Sequence, residues 1–243
     1  MNFEVVIETL EELTVTNNYK IKRVELCSAL DLGGLTPNLG LIEEVVDQSK
    51  AEVHLMIRPR AGDFVYNSDE VQVMKKDIIS ARNLNCKGVV FGLLNKENEL
   101  DIKKINPLVQ FSKDLGLEIT FHRAIDFSKD INKSIEILIE CGIDRILTSG
   151  GKADVDKGIN EIKKIFTTYG EIIKIMPGGG INFQNAKSLI DFGITDIHFN
   201  IRKITNQSNL MMGLKHPIDE EKIENITSIR KVAIQKDNLY KKE

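Results

Sequence analysis

Short apolar, β-branched runs recur along the chain with helix-patterned segments between them, and this alternation sets the architecture. The runs are FEVVIET from Phe3, RVELCS from Arg23, EVHLMIRP from Glu52, GVVFGLL from Gly88, LEITFHRA from Leu117, RILTSG from Arg145, IIKIMPGG from Ile172 and DIHFN from Asp196. Between them apolar residues fall three and four apart, as at Val71, Met74, Ile78 and Ala81 or at Val155, Ile159, Ile162 and Phe166, the stripe of an amphipathic helix. Asp101 and Asp130 stand where N-caps belong, and Gly116, Gly142 and Gly193 end helices just ahead of the next strand. Strands alternating with helices pair in parallel through right-handed crossovers, and eight such units in 243 residues match an α/β chain of the (β/α)8 TIM barrel type. An open doubly wound sheet is the alternative, but it predicts strands apolar on both faces. No shift in composition marks a boundary, so residues 1–243 read as one barrel domain, with a long loop at about 201–217 and a C-terminal helix at about 219–236.

Polar residues fall on alternate positions of these strands, and side chains alternate across a strand. Glu25 and Cys27 share a side opposite Val24 and Leu26; His54, Met56 and Arg58 oppose Leu55 and Ile57; Thr120 and His122 oppose Ile119 and Phe121; His198 and Asn200 oppose Ile197 and Phe199. Glu4 and Glu8, and Lys174 and Met176, follow the same rule. The apolar set must pack on helices, so the polar set faces the lumen. Most of these polar residues come late in their strands, the end at which barrels assemble active sites.

Composition narrows the partners. A net charge of −3 and a pI near 5.9 give no electrostatic reason to expect nucleic acid or an anionic membrane. The first residues, MNFEVVIETLEE, lack the basic start of a signal peptide, and no segment approaches the length of a membrane span, so a cytoplasmic location is expected. Cys27, Cys86 and Cys141 are odd in number and widely spaced, which offers neither a disulfide framework nor a CxxC pair. Cys86 and Cys141 precede strands and belong at the other end of the barrel; Cys27 reaches the mouth.

Two chemistries fit the convergence at the mouth. Thiolate, thioether and imidazole ligands select Cu(I), and Cys27, His54, Met56 and His198 would supply them, with Met211, Met212 and His216 of the long loop as further soft groups. Alternatively, an enzyme would use Glu25, His54, His122 or Asp126 as acid or base, with Arg58 and Arg123 holding a small anionic metabolite. Lys174 is a further candidate, for a Schiff base. The glycine clusters TSGGK and MPGGGI follow the sixth and seventh strands, where Ser149, Gly150, Gly179 and Gly180 could turn backbone amides toward a phosphate; tight turn geometry alone accounts for them equally well.

The strings VELCSALDLGGLTPNLGLIEE, MIRPRAGDFVYNSDE with Met74 following, GVVFGLL, ITFHRAIDFSKD, RILTSGG and IMPGGGI resemble the CutC copper-homeostasis family in order and spacing, from about residue 20 to 200. The resemblance implies a cytoplasmic barrel forming homo-oligomers, a dimer or tetramer, linked to copper tolerance, with Cu(I) bound at the cysteine matching Cys27. It also implies a polar mouth that includes Glu25, Arg58, Arg60, His122, Arg123 and Asp126, and it brings no defined reaction. The chain departs from the family pattern after the last strand's histidine, where it reads IHFNIRK.

Overall fold

A computed structural model describes residues 1–203 and 216–240, with side chains up to residue 230. Met211 and Met212 lie outside the described residues. All eight expected strands form: β1 Asn2–Ile7, β2 Arg23–Leu26, β3 Glu52–Met56, β4 Gly88–Phe91, β5 Glu118–Phe121, β6 Arg145–Thr148, β7 Lys174–Pro177 and β8 Asp196–Asn200. The helices are α1 Leu10–Thr16, α2 Leu39–Gln48, α3 Ser68–Asn83, α4 Ile102–Asp114, α5 Ile131–Glu140, α6 Val155–Tyr169, α7 Phe183–Asp191 and α8 Glu220–Tyr240. Every ladder is parallel and runs in the order β7-β6-β5-β4-β3-β2-β1-β8, while β7 and β8 lie side by side and close the ring by packing. This is a TIM barrel. Among the described residues no helix is long and apolar enough to cross a membrane.

Local chemistry explains the boundaries. The Asp130 side chain accepts the Lys133 amide and caps α5, whereas Asp101, at the equivalent position of α4, makes no cap bond and pairs with Lys104 at 2.5 Å. Val71, Met74, Ile78 and Ala81 are all buried along α3, so the stripe read from spacing is the face that packs on the barrel. The helix–sheet layer forms the main core, built from the outward set of strand residues such as Val24, Leu26, Leu55, Ile57, Ile119 and Phe121.

The inward set separates into polar and apolar zones. Arg23 of β2 donates from Nε to Glu4 Oε2 at 2.8 Å and from Nη2 to Asp196 Oδ1 at 2.7 Å, and the same Nη2 lies 3.7 Å from Met176 Sδ. Bonds from β2 to β7 and β8 can only cross the lumen. Arg145 approaches the same Asp196 at 3.8 Å and also donates to Thr120 and Glu118. Buried charges persist only when paired in this way, because leaving one alone inside a barrel is far costlier than any net gain from the pair. Val6, Cys27, Met56 and Val90 form a separate inner apolar cluster, with Leu30 against it.

Candidate functional site

At the C-terminal end of the barrel lies a cavity of about 330 Å³, near the lower end of the range for small-molecule sites. Glu25, Met56, His122, Arg123, Gly179, Gly180, His198 and Asn200 all line it. Alternation along β2, β3 and β8 brings Glu25, Met56 and His198 there, as the sequence pattern requires.

Its floor is a chain of three titratable groups. Glu4 and His198 are register partners on β1 and β8, and Glu4 Oε1 lies 2.8 Å from His198 Nδ1. His198 Nε2 in turn lies 3.7 Å from Glu25 Oε2. The two carboxyls differ sharply. Burial raises the pKa of Glu4, but the hydrogen bond and charge of His198 and the charges of Arg23 and Arg145 outweigh burial and hold it well below the carboxylate range. Burial also acts on Glu25, where His198 offsets only part of it and the neighbouring Glu4 charge adds to it, so its pKa is pushed up to about 7. Glu25 Oε1 has no hydrogen-bond partner. Burial pulls the His198 imidazole down, yet Glu25 and Glu4 together lift it above its ordinary value.

His122 is set differently. Its Nδ1 accepts the Ala124 amide at 3.1 Å, so a neutral ring must carry its proton on Nε2, which has no partner. Burial and the nearby charge of Arg58 push its pKa down to about 3. It therefore offers a neutral N–H donor, where the sequence pattern led one to expect an acid or base. The ring lies against Gly92, just past β4, where a Cβ would stand 2.5 Å from Nδ1, so the chain can accept the imidazole there only because that position is glycine. His54 lies deeper, fully buried against Gly88, with both nitrogens unpartnered and its pKa pushed down to about 4 by burial.

The remaining expected residues divide between the site and its supports. Arg58 donates Nη1 to the Leu32 and Gly34 carbonyls and Nη2 to the Gly62 carbonyl, tying together the loops after β2 and β3. Arg60 pairs with Glu70 at 2.5 Å and Asp63 at 2.9 Å, half-exposed and outside the cavity. Asp126 accepts from the Ser149 and Gly151 amides, from Ser149 Oγ and from Thr148 Oγ1, while Arg123 Nε donates to it at 2.8 Å. The Gly150 amide is spent on Thr148 Oγ1. The TSGGK loop thus already holds an internal carboxylate, and Ser149 and Gly150 face Asp126 and Thr148 instead of a ligand. Lys174 corrects another expectation: it is exposed and opens β7, which puts it at the end of the barrel opposite the mouth. His216 Nε2 lies 3.1 Å from Asp31.

The soft ligands converge only in part. Cys27 and Met56 both approach Gly34, since a Cβ there would lie 3.5 Å from Cys27 Sγ and 3.3 Å from Met56 Cε. Burial, with Glu25 and Glu12 adding to it, pushes the Cys27 thiol far up. Among the described residues, the one trio of His, Cys, Asp or Glu with ligand atoms within 4.8 Å of one another is Glu4, Glu25 and His198. Glu4 is a site residue that the sequence pattern alone does not single out; its signal is an acid at an inward position of β1. It is committed to Arg23 and to His198 Nδ1, which leaves Glu25 and His198 Nε2 to face a ligand or a cation.

These positions carry a stability signature. Folded Glu25 keeps its proton until about pH 7, while in the unfolded chain it ionises near 4.5. Raising the pH through that window therefore favours unfolding, on the order of 1–3 kcal/mol for one group shifted this far. The lifted His198 acts in the same direction, its share being lost as the pH rises through its raised pKa. Glu25→Gln is expected to be at least as stable as wild type at pH 8 and to lose less stability between pH 5 and 8, as measured by urea denaturation. Identical pH profiles would contradict this electrostatic picture.

The CutC family model matches residues 1–203. A CutC family protein of Glaesserella parasuis is 43% identical over 203 residues, covering 83% of each chain, and one from Pasteurella multocida is 38% identical over 229 residues, covering 92% of this chain and 93% of its own. The solved structure of CutC from Streptococcus agalactiae, described provisionally as a copper homeostasis protein, is 33% identical with a TM-score of 0.76, over 82% of this chain and 98% of that one. With the same eight-stranded barrel and this coverage, the chain belongs to the CutC family.

Proposed function

We propose that this chain is an acid–base enzyme acting on a small anionic metabolite at the mouth of its barrel, with Glu25 and His198 as the proton-transfer pair. The observation that carries this reading is the Glu25 carboxyl, which is buried, has no hydrogen-bond partner at Oε1 among the described residues and borders a ligand-sized cavity. A carboxyl kept only for structure is satisfied by its surroundings, since an unpaired buried polar group costs about 1–3 kcal/mol. Glu25 gives up or takes a proton near neutrality, the range in which general acid–base catalysis works best. Glu4, held ionised, orients His198 through Nδ1 and keeps Nε2 toward Glu25. Arg123, anchored by Asp126, draws the anionic substrate to the same cavity. In the same reading the chain works in the cytoplasm as a single-domain protomer of a dimer or tetramer, its three cysteines reduced.

The test is substrate discovery with a matched control. Wild type and Glu25→Gln are incubated with a small-molecule extract of bacterial cells, and the mixture is followed by mass spectrometry. The expected result is consumption of one or a few anionic metabolites by wild type, slowed about 10²-fold or more by the substitution. No consumption, or equal consumption by both proteins, would reject the assignment.

One observation favours a second reading, in which the cargo is Cu(I). The Cys27 thiol and the Met56 thioether approach one point beside Gly34, a soft pair suited to that ion, and the streptococcal relative's provisional description points the same way. Binding would have to take the thiol proton out of an apolar cluster, so uptake would release a proton and weaken in acid. Competition against a Cu(I) chelator is expected to give at least tenfold weaker binding for Cys27→Ser than for wild type. Equal affinities would reject the copper reading.

A further inference from the structure

The MPGGGI loop differs from its neighbour TSGGK in what its amides do. Gly178 donates to the Thr148 carbonyl at 3.0 Å, the Gly179 carbonyl accepts Val155 at 2.8 Å, and the Gly180 carbonyl accepts Asn185 Nδ2 at 3.0 Å. Between these anchors the N–H groups of Gly179, Gly180 and Ile181 have no acceptor among the described residues. Gly179 and Gly180 hold φ of +96° and +81°, so the loop keeps this shape only with glycine at both positions.

Arg123 stands directly against this loop. Its Nε and Nη2 are bound to Asp126 and Ser149, but Nη1 has no acceptor among the described residues, and a Cβ on Gly179 would lie 2.6 Å from it. The third donor is His122 Nε2–H, buried and unpartnered on the wall of the same cavity. The neighbouring loop supplies an internal comparison, because Ser149 and Gly151 amides with two hydroxyls already wrap the Asp126 carboxylate. A glycine loop of this barrel therefore does bind an anion when one is supplied.

We propose that Gly179, Gly180, Ile181 and Arg123 Nη1 seat the phosphate of a small phosphate monoester, and that His122 Nε2–H donates to a hydroxyl or carbonyl oxygen of the same molecule. Three amides and the two N–H of Nη1 make five donors, which suits the three terminal oxygens of a phosphate better than the two of a carboxylate. This rests on the acid–base reading of the mouth and names its substrate class. The phosphate fixes one end of the molecule and His122 orients an oxygen, leaving Glu25 and His198 to meet the remainder.

The test uses the intact wild-type chain, uniformly labelled with ¹⁵N and titrated separately with inorganic phosphate, glycerol 3-phosphate and glycerol while amide resonances are followed. Saturable shifts at Gly179, Gly180 and Ile181 are expected with both phosphates, at least tenfold tighter for glycerol 3-phosphate, and none with glycerol. His122→Phe is expected to erase that tenfold preference while inorganic phosphate still binds. Shifts confined to surface lysines, or none at these three amides, would overturn the phosphate seat. Shifts of the three amides with the preference intact in His122→Phe would overturn the role given to His122. Because these are binding readouts, their failure beside Glu25-dependent consumption would remove the substrate class alone, whereas seated phosphate without such consumption would count against the acid–base pair.

Discussion

The interior of this barrel is organised by a buried ion network that crosses the lumen. Arg23 binds Glu4 and Asp196, and Arg145 reaches the same Asp196 from the opposite wall. Each of these side chains lies on the inward register of its strand, so a slip of one residue in any strand would turn a charge into the helix layer. Removing one partner of such a network leaves an uncompensated buried charge, a loss of about 3–5 kcal/mol. The network thus fixes register, and register delivers the mouth: with Glu4 locked to Arg23, His198 is held beside Glu4 and Glu25 faces His198 from the next strand.

From this follows a division of labour among groups of the same chemical type. Glu4 and Glu25 sit on adjacent strands, yet one is surrounded by cations and the other has only an imidazole nearby. Their affinities for a proton are driven apart, the arrangement by which proteins obtain an acid and a base from two carboxyls. The histidines divide likewise. His198 is lifted by its carboxylates, and His122 is kept neutral by burial and a backbone N–H on Nδ1. Beside them Cys27 lies among Val6, Met56 and Val90, in surroundings that favour a thiol over a thiolate.

The legible part of this structure was the part governed by period. Alternation in VHLMIRPR and DIHFN gave the strands and their inward faces, and three–four spacing on α3 and α6 gave the helix stripes, because burial of one face is a local pattern. What the loops do was not legible. Asp126 fills the TSGGK loop, and Arg58 spends its guanidinium on three carbonyls; neither follows from spacing, since each depends on how two separate loops fold against one another. Lys174 was misplaced because the run IIKIM looks like strand from its first residue, whereas Ile172 is 67% exposed and β7 starts only at the lysine. The tautomer of His122 hinges on one backbone N–H, which no side-chain pattern encodes.

The proton-transfer pair depends on Glu25 staying protonated above its ordinary range, because burial outweighs the imidazole 3.7 Å from its Oε2 and its Oε1 has no hydrogen-bond partner among the described residues. The direct measurement is a ¹³C titration of the glutamate side-chain carboxyls, with the Glu25 resonance assigned by comparison with Glu25→Gln. A midpoint near pH 7 is expected. A midpoint at the ordinary glutamate value near 4.5 would show a solvated or already satisfied carboxylate, and the proposed proton-transfer pair would be lost with it.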